Sequence, residues 1–195
     1  MILPIVAYGS TVLKKKAKDL PTDYPNVMQL IENMWETMYA SNGVGLAAPQ
    51  IGLSLRLFLV DTAPFADDET LDIDDVKILE SFKRVFINPM IIEEDGEIWE
   101  FNEGCLSIPD VREDVSRHER IKMNYLDEYF KPQTIILSGL VARVIQHEYD
   151  HIEGILFTDH LSPLKRRLLK GKLTSISKGA IEVEYPMKFP LKTKR

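Results

Sequence analysis

The sequence predicts an α+β protein in which antiparallel sheets pack around a central helix. The helix is indicated by residues 140–154, where apolar side chains recur at helical spacing: Leu140, Val141, Val144, Ile145 and Ile152. The sheets are indicated by short strand-like runs that follow one another at hairpin spacing, without the alternating helices of a parallel sheet. We therefore expect the helix at 140–152 to lie inside the sheets.

Length and composition favour a single intracellular domain. The chain has 195 residues, 45% of them hydrophobic, which suits one domain over residues 1–195 with a sizeable core. It contains no apolar run of about eighteen residues and no secretory signal, so we expect no membrane partner and a cytoplasmic location. The net charge of −6 argues against a globally basic nucleic-acid binder, so we expect no DNA partner.

The first predicted helix follows a short extended segment. Residues 21–23 carry the start signal, and apolar residues then repeat at intervals of three and four until the helix ends near Gly43. The next stretch, residues 43–52, is rich in small residues and has no period, which is typical of a closely packed loop. A strand is predicted at 55–60.

Residues 61–82 are strongly acidic and predict a solvated excursion at the surface. A calcium-binding loop is the alternative interpretation, but the spacing of the acidic side chains fits no EF-hand. The acidic cluster consists of Asp67, Asp68, Glu69, Asp72, Asp74 and Asp75.

The second half of the chain predicts the hairpins and a last helix. Turn signals lie at Asp95-Gly96 and at Asp127-Glu128. The predicted strands cover residues 84–92, 97–101, 121–126 and 134–137. A last helix is predicted from Ser162-Pro163 to about Ser177, and residues 181–189 resemble a final strand.

Two histidines of the central helix, His147 and His151, lie four residues apart. This spacing places both imidazoles on one face, where they can bind a single metal ion, and Glu148 between them can reach a water on that ion. Two surface histidines can match so short a pattern by chance. Here the helix is apolar, and two imidazoles and a carboxylate are costly to bury unless something coordinates them. The central helix is therefore predicted to bind a metal.

A catalytic metal centre commonly takes three protein ligands, and the third decides the class of enzyme. The metzincin pattern continues as far as Gly154 but has Phe157 where its third histidine belongs. His160 lies three residues too late, and we interpret it as a structural or second-layer histidine. A thermolysin-like site would need a downstream glutamate, for which Glu182 is a distant candidate. Neither zinc-protease pattern is complete.

The remaining soft ligand is Cys105, the one cysteine of the chain, which excludes an internal disulfide and fits a reducing compartment. It follows a glycine in a turn-like segment that ends at Pro109. A lone cysteine is by default an inert small hydrophobe. A Cys/His/His metal site with one open position is the most economical interpretation. A cysteine nucleophile with a histidine base is the alternative, and it leaves Glu148 unexplained.

Three stretches together resemble the signature motifs of the peptide deformylase family. They are Gly43-Val-Gly-Leu-Ala-Ala-Pro-Gln50, Glu103-Gly-Cys-Leu-Ser107 and Gln146-His-Glu-Tyr-Asp-His151, in the family's order. The resemblance implies a hydrolase of protein biosynthesis that removes the N-formyl group from the initiator methionine of nascent polypeptides and releases formate. It also implies ferrous iron, Fe2+, as the usual metal, with Zn2+, Ni2+ or Co2+ able to replace it.

The resemblance also assigns the chemistry to particular residues. It implies Cys105, His147 and His151 as the metal ligands. A metal-bound hydroxide would attack the formyl carbon, with Glu148 as the general acid/base. The oxyanion would be stabilised by two donors, the Gln50 side-chain amide and the Leu106 backbone N–H.

For the substrate, we expect recognition mainly through backbone and shape. Three glycines would let the peptide main chain approach and pair as an added strand: Gly43, Gly45 and Gly104. Our candidates for the methionine pocket are Val44, Leu140 and Val144, although core packing is the default role of such residues. Arg112 corresponds to an arginine that the family often keeps near the substrate backbone, and a surface ion pair is the alternative for it.

The last predicted helix is basic and contains no acidic residue. Some bacterial relatives dock on the ribosome through a C-terminal helix, so residues 163–178 are a candidate for contact with ribosomal RNA by analogy. A solvated helix face is the alternative. Two rival functions also remain, an endopeptidase built on the same helix and a non-catalytic metal-binding or ribosome-associated module.

Overall fold

Helices and strands alternate irregularly along the chain, which confirms the predicted α+β class. The structure, a computed structural model, describes residues 1–190. Its strands are β1 (Ile5–Val6), β2 (Gly45–Ala47), β3 (Leu57–Asp61), β4 (Lys83–Cys105), β5 (Ile108–Leu126), β6 (Pro132–Ser138) and β7 (Met187–Lys188). Its helices are α1 (Val27–Ala40), α2 (Ile73–Ser81), α3 (Gly139–Glu153) and α4 (Pro163–Lys178).

Within residues 1–190, five strands form one antiparallel sheet in the order β2-β3-β4-β5-β6, and β1 pairs with β7 in a small parallel sheet. Helix α3 packs against the larger sheet. Its apolar residues, among them Val144, Ile145 and Ile152, join a buried core with Phe58 of β3 and Phe86 of β4. This burial stabilises the helix that carries the two histidines, because apolar area removed from water contributes roughly 25 cal/mol per Å².

The hairpin of β4 and β5 is longer than the sequence predicts. We expected four short strands, of which three lie within this pair, and β4 and β5 instead run 23 and 19 residues. The predicted turn at Asp95-Gly96 is wrong as a chain reversal, because both residues lie inside β4. Gly96 has a φ of 80°, and the register shifts between Asp95 and Ile98. A bulge requires the same left-handed backbone as a tight turn, so the two give the same sequence signal.

The turn predicted at Asp127-Glu128 is confirmed as the connection between β5 and β6. The Asp127 carboxylate accepts hydrogen bonds from the backbone N–H groups of Tyr129 (3.0 Å) and Lys131 (2.9 Å). This is the local side-chain bonding that favours aspartate in turns.

The acidic segment 61–82 is only partly the solvated excursion that we expected. The Asp72 carboxylate caps helix α2 by accepting hydrogen bonds from the N–H groups of Asp74 and Asp75, both at 2.9 Å. Leu79 and Phe82 are buried. The acidic side chains therefore face water and cap a helix, while the apolar side chains of the same segment pack on the core.

Three other boundaries differ from the prediction. Helix α1 begins at Val27 and not near residues 21–23, because Asn26 before it has a left-handed φ of 55°. Residues 43–52 include the short strand β2, so this stretch is not entirely a loop. The predicted strand at 181–189 shortens to β7, whereas α4 lies where the last helix was expected. Within residues 1–190, none of the helices has both the length and the apolar character needed to cross a bilayer.

A matched pair of glycine substitutions tests the helix ends. Gly154 closes α3 with a φ of 78°, and an added Cβ would lie 2.9 Å from the carbonyl carbon of Lys15. We expect Gly154→Ala to lower the free energy of unfolding by roughly 1–3 kcal/mol in a urea titration.

The control for this prediction is Gly171→Ala in α4, where an added Cβ meets nothing within 4 Å. It should raise the free energy of unfolding by about 0.5–1 kcal/mol, because alanine has the higher helix propensity. Equal effects of the two substitutions would contradict the interpretation of Gly154.

Candidate metal centre

Three side chains that we predicted as metal ligands meet in the structure. Helix α3 supplies His147 and His151, and Cys105 lies at the end of β4. Their ligand atoms all lie within 4.8 Å of one another. The thiol Sγ of Cys105 is 3.3 Å from Nε2 of His151. Two ligands of a tetrahedral ion at ordinary bond lengths lie about 3.5 Å apart, so the residues present fit a metal ion of the zinc or ferrous type.

The electrostatics around Cys105 favour the thiolate that a metal requires. Burial alone would raise the pKa of this thiol, but the charge of His151 and hydrogen bonds with both imidazoles lower the pKa to about 5. Burial alone would likewise lower the pKa of His147, whereas its hydrogen bonds with Cys105 and Glu103 raise it well above the ordinary value. The cluster therefore holds a sulfur in the state that binds a cation.

The orientation of His147 is determined by Glu103, which is buried behind it. The carboxylate Oε2 of Glu103 lies 2.8 Å from Nδ1 of His147. Because a carboxylate only accepts, the proton resides on Nδ1 and the Nε2 lone pair is left for a metal. Burial alone would raise the pKa of Glu103, but hydrogen bonds from His147 and Arg117 hold it well below its usual range.

Two buried arginines complete the support of this carboxylate. Arg117 of β5 donates to both oxygens of Glu103, at 2.7 and 3.0 Å, and Arg143 of α3 donates to Oε1 at 3.1 Å. Arg117 also pairs with Asp150 at 2.7 Å, and Asp150 contacts Nε2 of His160 at 2.8 Å. His160 therefore lies outside the group of ligand atoms and belongs to the ion-pair network.

Glu148 is 4% exposed and lies beside the ligand cluster. Its burial raises the pKa of the carboxyl group to about 7. Within residues 1–190, its Oε2 is buried without a hydrogen-bond partner. Gly45 of β2 makes room for this side chain, because an added Cβ there would lie 2.5 Å from Oε1 of Glu148. A buried carboxylate without a partner is costly, which is typical of a group that acts on a ligand.

The side-chain amide of Gln50 is fixed in one orientation. Its Oε1 accepts the backbone N–H of Ala47 at 2.7 Å, and its Nε2 lies 3.6 Å from the sulfur of Cys105. The amide N–H groups therefore point into the site. Leu106 follows Cys105, and its carbonyl accepts a hydrogen bond of 2.8 Å from the hydroxyl of Tyr185. The C-terminal segment thus contacts the turn that carries the cysteine.

A cavity of about 490 Å³ opens onto the cluster. Most of the residues that we predicted for substrate binding line it: Gly43, Val44, Gly45, Gly104, Arg112 and Val144. Leu140 packs against the core and does not line the cavity. Arg112 makes hydrogen bonds to Asn102, through Nε to Oδ1 at 2.9 Å and through Nη2 to the backbone carbonyl.

Sequence reasoning missed four residues that line the cavity: Phe65, Phe101, Arg143 and Tyr185. Phe101 could have been found, because strand alternation places it on the same face as Glu103 and Cys105. No local pattern brings Phe65 or Tyr185 to the site, since both come from segments that are distant from the motifs in the chain.

Comparison with known proteins gives consistent relatives. Residues 2–167 match a family model described as polypeptide deformylase. The chain is 65% identical over 190 residues to the peptide deformylase of Christiangramia forsetii, covering 97% of both chains. It is 58% identical over 189 residues to that of Flavobacterium johnsoniae, covering 97% of this chain and 96% of the relative. A crystal structure of a peptide deformylase from Legionella pneumophila matches with a TM-score of 0.76 at 39% identity, covering 92% of this chain and 98% of that one.

The carboxylate behind His147 should control metal affinity. We expect Glu103→Gln to weaken binding of Zn2+ or Co2+ by about 10–100-fold, because the amide no longer fixes the imidazole tautomer. A chelator competition titration measures this affinity. Glu100→Gln, at an exposed position of the same strand, should leave it unchanged. An unaltered affinity in a folded Glu103→Gln protein would show that His147 is oriented by other contacts.

Proposed function

Because the chain belongs to the peptide deformylase family, a family of hydrolases, we propose that it removes the formyl group from the initiator methionine of nascent polypeptides with the help of a bound metal ion. The observation that carries this proposal is the cluster of Cys105, His147 and His151, whose ligand atoms lie within 4.8 Å of one another beside a cavity. Formate is the product that an assay detects.

The metal would be held by one thiolate and two imidazoles. We propose ferrous iron on the family resemblance, and zinc, nickel or cobalt suits the same donors. When bound, such a cation lowers the pKa of water towards neutrality and polarises a carbonyl oxygen. Glu103 would keep His147 in the tautomer that binds it.

The proton transfers are proposed for Glu148. Its carboxylate lies beside the ligand cluster, and Oε2 is without a partner within residues 1–190. In this position it would accept a proton from the attacking water and deliver it to the leaving amine, which is a poor leaving group as an anion. Gly45 leaves the space that the carboxylate occupies.

Two donors are proposed for the oxyanion that develops on the formyl oxygen. The Gln50 amide is held by Ala47 so that Nε2 points towards Cys105. The backbone N–H of Leu106 follows the cysteine in the chain. A donor that is fixed before the reaction stabilises the transition state without reorganisation, and losing one typically costs about 3 kcal/mol.

The peptide is proposed to bind as an added strand. Strand β2 is at one edge of the sheet within residues 1–190, and it supplies Gly45 to the cavity. Backbone pairing at a sheet edge tolerates many sequences after the first residue. The methionine side chain would enter the apolar part of the cavity between Val44 and Val144, with Gly43, Gly104 and Arg112 beside the main chain and Leu140 supporting the wall from the core.

We also propose that residues 1–195 act as one domain in the cytoplasm, where nascent chains leave the ribosome. Helix α4 supports a contact with the ribosome, because its basic side chains include Arg166, Arg167 and Lys170, which are exposed. Phosphate groups of RNA attract such a face.

Replacing Glu148 tests the chemistry. We expect Glu148→Gln to reduce formate release from formyl-methionyl peptides by about 10²–10⁴-fold, because the amide cannot carry the proton. The metal content, measured by elemental analysis of anaerobically purified protein, should not change. Glu119→Gln on the exposed side of β5 serves as the control. A Glu148→Gln enzyme as fast as the parent would exclude this carboxylate as the acid/base.

The ribosome contact is tested by removing three charges from α4. We expect the triple change of Arg166, Arg167 and Lys170 to glutamine to reduce co-sedimentation with ribosomes and to flatten its salt dependence. A triple change of Lys15, Lys18 and Lys131, which are exposed elsewhere, removes the same charge as a control. Equal losses in both proteins would indicate a general charge effect and contradict a docking role for α4.

A further inference from the structure

Two phenylalanines from separate segments meet in the wall of the cavity. Phe65 lies at the end of a short helical turn in the acidic segment 61–82, and Phe101 belongs to β4. Their ring centroids are 6.4 Å apart and the rings are nearly perpendicular, at 86°. Edge-to-face contacts of this kind are favourable in their own right. Both side chains line the cavity.

The aromatic pair lies away from the metal ligands along the cavity. Phe101 is four residues before Cys105 on β4, a distance of about 13 Å along a strand. On α3, Val144 and Arg143 precede His147 by about one turn and also line the cavity. A side chain that extends from the metal along this wall passes Val144 first and meets the phenylalanines beyond it.

Contacts within the acidic segment hold Phe65 in place. The hydroxyl of Thr62 donates to the carbonyl of Leu79 at 2.8 Å, which ties the two ends of the segment together. The N–H of Ala63 donates to the Asp61 carboxylate at 3.1 Å. Phe65 itself is half-buried and packs against the main core. The segment therefore presents this ring from an anchored turn.

The opposite side of the wall is also anchored. The guanidinium carbon of Arg143 lies 4.3 Å from the ring centroid of Trp99, which in turn contacts Phe101 at 5.6 Å between centroids. Arg143 donates to Glu103 and to the backbone carbonyls of Val115 and Trp99. Because its charge is engaged by these groups, the wall offers a side chain an apolar, aromatic surface. Thioethers make favourable contacts with aromatic rings.

We propose that Phe65, together with Phe101, closes the far end of the cavity and sets the length of the first side chain that the enzyme accepts. This inference rests on the proposed deformylase function. It gives the segment 61–82 a role in substrate selection, since that segment alone supplies Phe65. Phe65 acts here as a specificity residue that meets the substrate side chain, at a distance from the metal ligands and from Glu148.

The test uses formyl peptides whose first residue carries an unbranched side chain of increasing length: methionine, norleucine, 2-aminoheptanoate and 2-aminooctanoate. For Phe65→Ala we expect the ratio of kcat/KM for the 2-aminooctanoyl peptide to that for the methionyl peptide to rise at least about 10-fold, because one methylene in an apolar pocket changes the rate by about 10–200-fold. Phe65→Trp should change the ratio in the opposite direction. Ile78→Ala, at an exposed position of α2 in the same segment, should leave it unchanged.

The outcomes separate this inference from the function on which it rests. A parent enzyme that releases no formate from any peptide overturns the proposed function. If the parent is active and the ratio is the same in all the variants, Phe65 does not limit side-chain length. The same conclusion follows if Phe65→Ala slows every peptide equally. Phe65→Leu, which keeps an apolar side chain on the core, provides the same test should the alanine variant fail to fold.

Discussion

The buried carboxylate of Glu103 joins the long hairpin to the central helix. It accepts hydrogen bonds from His147, Arg117 and Arg143, and it is 4% exposed. A carboxylate in the interior is costly unless charged and hydrogen-bonded partners surround it. Here the partners come from α3 and β5, so the carboxylate is satisfied only when these elements pack together. The imidazole that would hold the metal is oriented by the same contacts.

Close packing explains how the catalytic groups come together around this centre. The two histidines share one helix, but the thiol, the amide of Gln50 and the space at Gly45 come from other elements. An added Cβ at Gly45 would overlap the Glu148 carboxylate. The small residues of the first motif therefore serve the helix as well as an incoming peptide. Each motif is short because each supplies one part of a shared volume.

The connecting segments contribute the walls of the cavity and none of the metal ligands. The acidic segment provides Phe65, and the C-terminal segment provides Tyr185, whose hydroxyl reaches the carbonyl of Leu106. Segments of this kind vary more freely than the elements they connect, so they suit the adjustment of specificity. The acidic side chains of the segment 61–82 keep it soluble on one face while its apolar side chains reach the core.

The sequence by itself determined the features that depend on local periodicity. Helical spacing places His147 and His151 on one face, and the apolar pattern around them predicted the buried helix. The motifs supplied Cys105, Glu148 and Gln50 by resemblance. Only the tertiary structure decided the length of the β4–β5 hairpin, the arginine support of Glu103, and the arrival of Phe65 and Tyr185. These contacts join residues far apart in the chain, and their pairing follows from packing and charge satisfaction, which leave no period in the sequence.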